Sequence, residues 1–342
     1  MTALMRMGAL IPYCFPAPTR MRARMVRGRC LWTHRPATAP ARHSARMSRI
    51  PARPPALRGK IFRGSDQVRA GRLTKAQLRS SAWHRLFPDV YACASLPIDH
   101  ARRARAAAGL AGPGAVVSGR SAGVLWGVDL AGPDDDVECT LAPGCRAGTV
   151  RGIRVTRREL ATEEVTRRDG VRVTTVVRTA LDLARIQPVE EAVVALDQFL
   201  RTGLVTLDDV RATASAATGP GCRQIRRVAG LADGRAESPQ ETRLRLLLHR
   251  SRLPRPLAQY VVRGSDGGFV AGVDFAWPDA KVAVEYEGRW HGQPQQVARD
   301  RRRLNELAAA GWTVVFVTAA DLRDPVALIA RIAAALEAPR YA

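Results

Sequence analysis

Residues 273–291 read VDFAWPDAKVAVEYEGRWH, the pattern of two β-strands joined by a tight turn. Apolar residues alternate with small or acidic ones over 273–277, Pro278 and Asp279 interrupt, and the alternation resumes over 281–287. Side chains on a strand repeat with period two. Val273, Phe275 and Trp277 therefore share one face, opposite Asp274 and Ala276. Val282, Val284 and Tyr286 share another, opposite Ala283, Glu285 and Glu287. Pairing the strands brings Asp274, Glu285 and Glu287 to a common surface. Crowded carboxylates repel one another unless a cation, a shared proton or an arginine sits among them. Two readings stand: an acidic face neutralised by arginines, or a cluster that holds a metal ion.

The flanks extend the pattern. Residues 237–248, ESPQETRLRLLL, read as a helix with Leu244, Leu247 and Leu248 on its apolar side, and a strand is expected over 259–263. Beyond the hairpin, DRRRLNELAAAGWTVVFVTAADL (300–322) belongs to a helix over about 295–310 and a strand over 313–318, and a last helix runs over 325–336. The order is αβββαβα. An acid, ten intervening residues and then Glu-x-Glu at the end of an apolar strand resembles the PD-(D/E)XK nuclease pattern. Residues 237–336 as a set resemble the Vsr-like endonuclease-domain family of actinobacterial proteins.

That resemblance implies a restriction-endonuclease-like fold that hydrolyses DNA with Mg²⁺, or Mn²⁺ in its place. It implies metal ligation by Asp274 and Glu285, helped by Glu241 on the first helix, with Glu237 as the weaker substitute. Mg²⁺ takes hard oxygen ligands and keeps several waters, so two or three carboxylates suffice. The family's usual lysine is replaced by Glu287, which would either position the attacking water or hold a second metal. His291 matches a histidine that assists proton transfer, and Asp300 either orients it or opens an arginine-laced helix face. The competing reading of Glu241 is an exposed side chain paired with Arg245 one helical turn on. Arg299, Arg302 and Arg303 are candidate phosphate contacts, because guanidinium matches phosphate with two parallel bonds; Arg301 could equally neutralise the acids. Trp290 is a candidate for stacking on a base, and Tyr286 reads as core.

Composition sets the wider frame. A chain of 342 residues is long for one core, and 46% hydrophobic residues can fill two. The formal net charge is +23, which favours a polyanionic partner. Only Lys60, Lys75 and Lys281 are lysines, so the basicity is almost all arginine, and a GC-rich genome also produces that skew. The cysteines at 14, 30, 93, 139, 145 and 222 form no C-x-x-C pair, which argues against a zinc site or a thioredoxin-like motif and fits a reducing cytoplasm. No uninterrupted apolar run reaches the roughly 18 residues that a membrane helix needs.

Residues 1–60 carry Arg and Lys but no acid and show no periodicity. They read as a disordered basic extension, or, the favoured reading, as upstream sequence included by a misplaced start, with Met47 as an alternative. From Ile61 the chain is organised. LTKAQL (73–78) opens a helix with Thr74 as N-cap, and Pro88-Asp89 turns a short β-wing. LTKAQLRSSAWHRLFPDVYA (73–92) resembles the N-terminal domain of AbiEi-type antitoxins, a likeness that extends over about 61–215 and implies a winged helix-turn-helix at about 61–95. Lys75, Gln77 and Arg79 are its candidate DNA contacts, with a solvated helix face as the competing reading. VECTLAP and GIRVTRRE, within 137–159, are strand-like pieces around a glycine-bearing turn. Helices follow at 178–186, 188–200 and 205–215, the last capped by Thr206.

The expected class is therefore α/β overall, with an N-terminal α+β winged-helix-containing domain at 61–217, a linker at 218–236 and the nuclease-like domain at 237–342. The leading expectation is a cytoplasmic Mg²⁺-dependent DNA endonuclease whose N-terminal domain binds DNA or a cognate toxin-like protein; a homodimer is compatible with it. The alternative is a non-enzymatic DNA-binding regulator of the antitoxin kind that keeps an inactive nuclease fold.

Overall fold

A computed structural model describes residues 53–146, 148–264, 267–288 and 294–338, with the backbone alone over 294–300. The chain is mixed α/β, with three sheets among the described residues.

The first sheet is small and antiparallel. β1 (Ile61–Arg63) leads into α1 (Gly64–Arg69), and β2 (Trp83–Phe87) and β3 (Val90–Cys93) form the hairpin, in spatial order β1-β3-β2. Asp89 turns the hairpin with a left-handed φ of 59°, and its carboxylate accepts hydrogen bonds from the amide and hydroxyl of Ser65 at 2.7 and 2.6 Å. Thr74 caps as expected: its hydroxyl accepts from the Gln77 amide at 3.1 Å, while the Gln77 side-chain oxygen accepts from the Thr74 amide at 2.7 Å. The expected helix does not follow. Only one 3-10 turn forms, Gln77–Arg79: Ser80 leaves it with an extended backbone, its amide and hydroxyl both donating to the Gln77 carbonyl at 3.1 and 2.7 Å, a local bond that competes with a longer helix.

α2 (His100–Ala107), β4 (Val116–Val117) and α3 (Gly119–Leu125) come next, followed by β5 (Val137–Leu141), β6 (Ile153–Arg157), β7 (Val165–Arg168) and β8 (Val171–Thr174). The second sheet has the order β6-β5-β4-β8-β7. β5 and β6 run parallel, so the glycine-bearing stretch between them is a crossover and not a tight turn. One face of this sheet buries Val117, Val137, Cys139, Leu141 and Val173 against Ala104 and Ala107 of α2 and Ala122 and Leu125 of α3.

Four helices then pack together: α4 (Val176–Leu183), α5 (Val189–Leu200), α6 (Leu207–Ala216) and α7 (Cys222–Leu231). Thr206 caps α6 through a reciprocal pair with Asp209. Most of the residues expected as a linker form α7, whose Ile225, Val228 and Ala229, at helical spacing, are buried beside Leu183, Leu196 and Phe199. Leu246, from the helix that follows, enters the same core.

That helix is α8 (Pro239–Arg250); β9 (Leu257–Arg263), β10 (Phe269–Trp277), β11 (Val282–Tyr286), α9 (Pro294–Ala309), β12 (Thr313–Val317) and α10 (Pro325–Glu337) complete the chain in the order αβββαβα. The third sheet has the order β12-β11-β10-β9, with only β11 and β12 parallel. Phe275, Trp277, Val282 and Val284 pack with Leu244 and Leu248 of α8 and Leu328 and Ile332 of α10. Ala276 and Ala283 turn the other way, toward Leu307 of α9. Val273, expected beside Phe275, packs instead in this second cluster with Ala271. The slip falls opposite Gln259, whose backbone takes a left-handed φ of 51° and breaks the alternation of β9. Among the described residues, no helix is long and apolar enough to cross a membrane.

Candidate functional site

The register of the hairpin places the acids. Phe275 lies opposite Val284 and Ala276 opposite Ala283, so one step further Asp274 faces Glu285. Asp274 is half-buried, and its Oδ2 accepts the Tyr286 amide at 2.8 Å. Glu241 approaches from the first turn of α8. Its amide donates to the Ser238 hydroxyl at 3.2 Å, which caps the helix, and its Oε2 accepts the Glu237 amide at 2.7 Å. The Gln259 side-chain amide stands between the two acids, with Nε2 3.4 Å from Glu241 Oε2 and 3.4 Å from Asp274 Oδ1. A neutral amide thus spans two carboxylates.

The electrostatics follow from that enclosure. Burial raises the pKa of both acids; the charge of Asp274 raises Glu241 further, and that of Glu237 raises Asp274, partly offset by the Tyr286 and Gln259 hydrogen bonds. Among the described residues neither carboxylate forms an ion pair, although the nearby charge of Arg303 lowers Asp274 somewhat. Glu285 forms one: Arg303 Nη1 and Nη2 donate to its two oxygens at 2.8 and 2.5 Å, and Nη2 also donates to the Gly272 carbonyl at 2.5 Å.

The site therefore differs from expectation at several points. Arg303, expected to contact phosphate, is spent on Glu285, and it takes the neutralising role considered for Arg301. Glu241 does not pair with Arg245. The Arg245 guanidinium is buried instead on Asp197 at 2.7 Å and on Asp233 at 3.2 Å. Glu287 lies past the end of β11, exposed, with its amide on the Val317 carbonyl at 2.7 Å. Tyr286 packs against the core under β11, as its position in the pattern suggested. Gln77 and Arg79 are exposed on the 3-10 turn and Lys75 is exposed just before it, as is Arg302 on α9. His291 and Trp290 lie outside the described residues, as do the side chains of Arg299 and Asp300.

Oxygen donors of the kind Mg²⁺ prefers are present at Asp274 and Glu241, which fit such an ion in chemistry and, among the described residues, form no ion pair of their own. Glu285 does not fit while Arg303 holds both of its oxygens. Among the described residues, no group of three or more His, Cys, Asp or Glu side chains stands ready to hold a metal. Gln259 is the residue that the sequence reading missed. Its signal was a single long polar side chain inside the apolar run LAQYVV.

No protein-family model and no solved structure matches the chain significantly. Two curated proteins of Mycobacterium tuberculosis do: the uncharacterized protein MT2308 of strain CDC 1551 / Oshkosh and the uncharacterized protein Rv2248 of strain ATCC 25618 / H37Rv. Each is 36% identical over 215 residues, which cover 60% of this chain and 78% of the relative. At that identity and coverage, the chain belongs to the family of these two mycobacterial proteins.

Proposed function

We propose that residues 237–342 form a Mg²⁺-dependent DNA endonuclease of the PD-(D/E)XK kind, and that the residues before them bind DNA or a partner protein. The observation that carries this reading is the approach of Asp274 on β10 and Glu241 on α8 to either side of the Gln259 amide, with Glu285 opposite Asp274 in the hairpin register and held by Arg303. The acids' raised pKa values support it, since a cation would relieve the crowding. Asp274 and Glu241 would hold Mg²⁺, which when bound supplies positive charge to the scissile phosphate and the leaving oxygen. Hydrolysis adds a water oxygen to phosphorus and breaks one P–O ester bond. Glu287, exposed at the strand end, would take the proton of that water, and a proton returns to the leaving oxygen. Arg303 must release Glu285 before Glu285 can join the site. The test is plasmid cleavage in Mg²⁺ or Mn²⁺ by wild type, Asp274→Ala and Glu285→Ala. Cleavage by the wild type alone is expected; equal activity in all three overturns the assignment.

The clasp of Arg303 on Glu285 favours a second reading. In it, the C-terminal fold is a scaffold whose acids are neutralised internally, and the chain is a non-enzymatic DNA-binding regulator. Sequence-specific duplex binding, with no divalent-ion affinity lost on Asp274→Ala, would establish it.

A further inference from the structure

We infer that the second sheet carries a binding site for the phosphoryl group of a nucleotide, separate from the acids on the third sheet and independent of the nuclease reading. The antiparallel register of β7 and β8 sets Arg167 directly opposite Arg172, and like charges in that relation repel. Their hydrogen bonds run to neutral groups: Arg167 Nη1 donates to the Gly170 carbonyl at 3.0 Å and Arg172 Nη1 to the Gly114 carbonyl at 3.1 Å. Among the described residues, no carboxylate pairs with either. Arg158, in the segment after β6, reaches the same cavity and commits Nη1 to Asp182 at 2.7 Å.

The cavity holds about 340 Å³ and is walled by these three arginines with no Asp or Glu among its described lining residues. Thr162 and Thr166 contribute hydroxyl-bearing walls, and Val116 and Leu160 contribute apolar ones. Val116 and Arg172 alternate with Val117 and Val173, which are buried under α2 and α3, so the cavity sits on the opposite face. Guanidinium groups bind phosphate oxygens with paired, charge-assisted bonds. An anion between Arg167 and Arg172 would turn their repulsion into attraction for a shared ligand. The volume exceeds a bare phosphate and falls in the range of small-molecule pockets, and the apolar walls suit a sugar or base beside the anion. A free nucleotide and a nucleotide of a nucleic-acid strand present the same group.

Calorimetric titration of the full chain at low salt separates these sources, with inorganic phosphate, a nucleoside monophosphate and a short single-stranded oligonucleotide as probes. Saturable binding of at least one probe is expected, weakened about tenfold or more in Arg167→Gln/Arg172→Gln. The unliganded melting temperature of the variant should be equal to or above that of wild type, because the substitution removes a repulsion. Binding of the monophosphate identifies a free nucleotide, binding of the oligonucleotide alone identifies a strand, and binding of phosphate alone supports the anion site without the nucleoside. No saturable binding by any probe, or binding that the double substitution leaves unchanged, overturns the site.

Discussion

Arg303 grips both carboxylate oxygens of Glu285, at 2.8 and 2.5 Å, and so neutralises an acid placed opposite Asp274 in the hairpin. The Glu285 side chain is 10% exposed and that of Arg303 36%, so the two ends of the pair are not equivalent. Removing the arginine strips a buried carboxylate of its guanidinium bonds, whereas removing the carboxylate leaves a guanidinium that water can reach. Arg303→Gln should therefore cost about 1–3 kcal/mol, less than a fully buried pair because the arginine is partly solvated. Glu285→Gln should cost less than that. Urea denaturation of the two single variants and the double variant measures both terms, and a coupling near zero would show that the clasp contributes nothing to stability.

Asp274 and Glu241 predict a pH dependence. Their pKa values in the folded chain are raised, by burial first and, for Glu241, by the charge of Asp274 next. The folded state then binds these protons more tightly than the unfolded state does. Stability from this source is full below the unfolded carboxylate value of about 4 and is lost as pH rises toward the raised folded values. Asp274→Asn removes one titrating group and one repulsion. The free-energy difference between Asp274→Asn and wild type should thus shift in favour of the variant as pH is raised from about 4. Denaturation midpoints across pH 3.5–7 measure it, and a pH-independent difference would contradict the raised values.

Among the described residues, Asp197 and Arg245 make the most deeply buried ion pair: their side chains are 0% and 4% exposed, and their charged atoms lie 2.7 Å apart. Asp197 also accepts the Thr242 hydroxyl and the amides of Asp233 and Gly234. This network ties α5, the segment after α7 and α8 together across the stretch expected as a linker. Arg245→Met should destabilise by about 3–5 kcal/mol, because the carboxylate stays buried without its guanidinium. Residues 53–338 should unfold in a single transition, since Leu246 of α8 belongs to the core under α4–α7. Two resolved calorimetric transitions would contradict this coupling.

The hairpin was legible because period-two alternation is a local signal, and its turn was marked by Pro278 and Asp279. Residues at the ends of local patterns were not. The helix after Thr74 stops where Ser80 turns extended and folds its hydroxyl back onto the Gln77 carbonyl, local chemistry that a capping motif does not reveal. The linker was misread because glycines at 219, 221 and 234 outweighed the amphipathic spacing of Ile225, Val228 and Ala229. Partner choice was least legible of all. Helical spacing suggested Glu241 with Arg245, but Arg245 points to Asp197, 48 residues upstream, and Arg303 of α9 reaches Glu285 on β11. Charged pairs that close over long sequence separations are set by tertiary packing, and no window on one helix contains them.

Gln259 offers the sharpest test of whether the acids form a cation site. Its amide donates toward Glu241 and Asp274 and lowers the pKa of the latter, so it relieves part of their repulsion without bringing a charge. Gln259→Glu keeps the shape, removes that donor and places a third carboxylate between two that form no ion pair among the described residues. Without divalent ions the variant should lose about 1–3 kcal/mol, the cost of leaving buried acceptors unsatisfied. With Mg²⁺ or Mn²⁺ at millimolar concentration it should recover that loss and gain more from the ion than wild type does, because a further hard oxygen strengthens binding to such ions. Melting temperatures of wild type and variant, each with and without the ion, give the comparison. If the ion stabilises neither protein, the acids do not form a divalent-cation site, and Asp274 and Glu241 serve only to fasten α8 to the sheet.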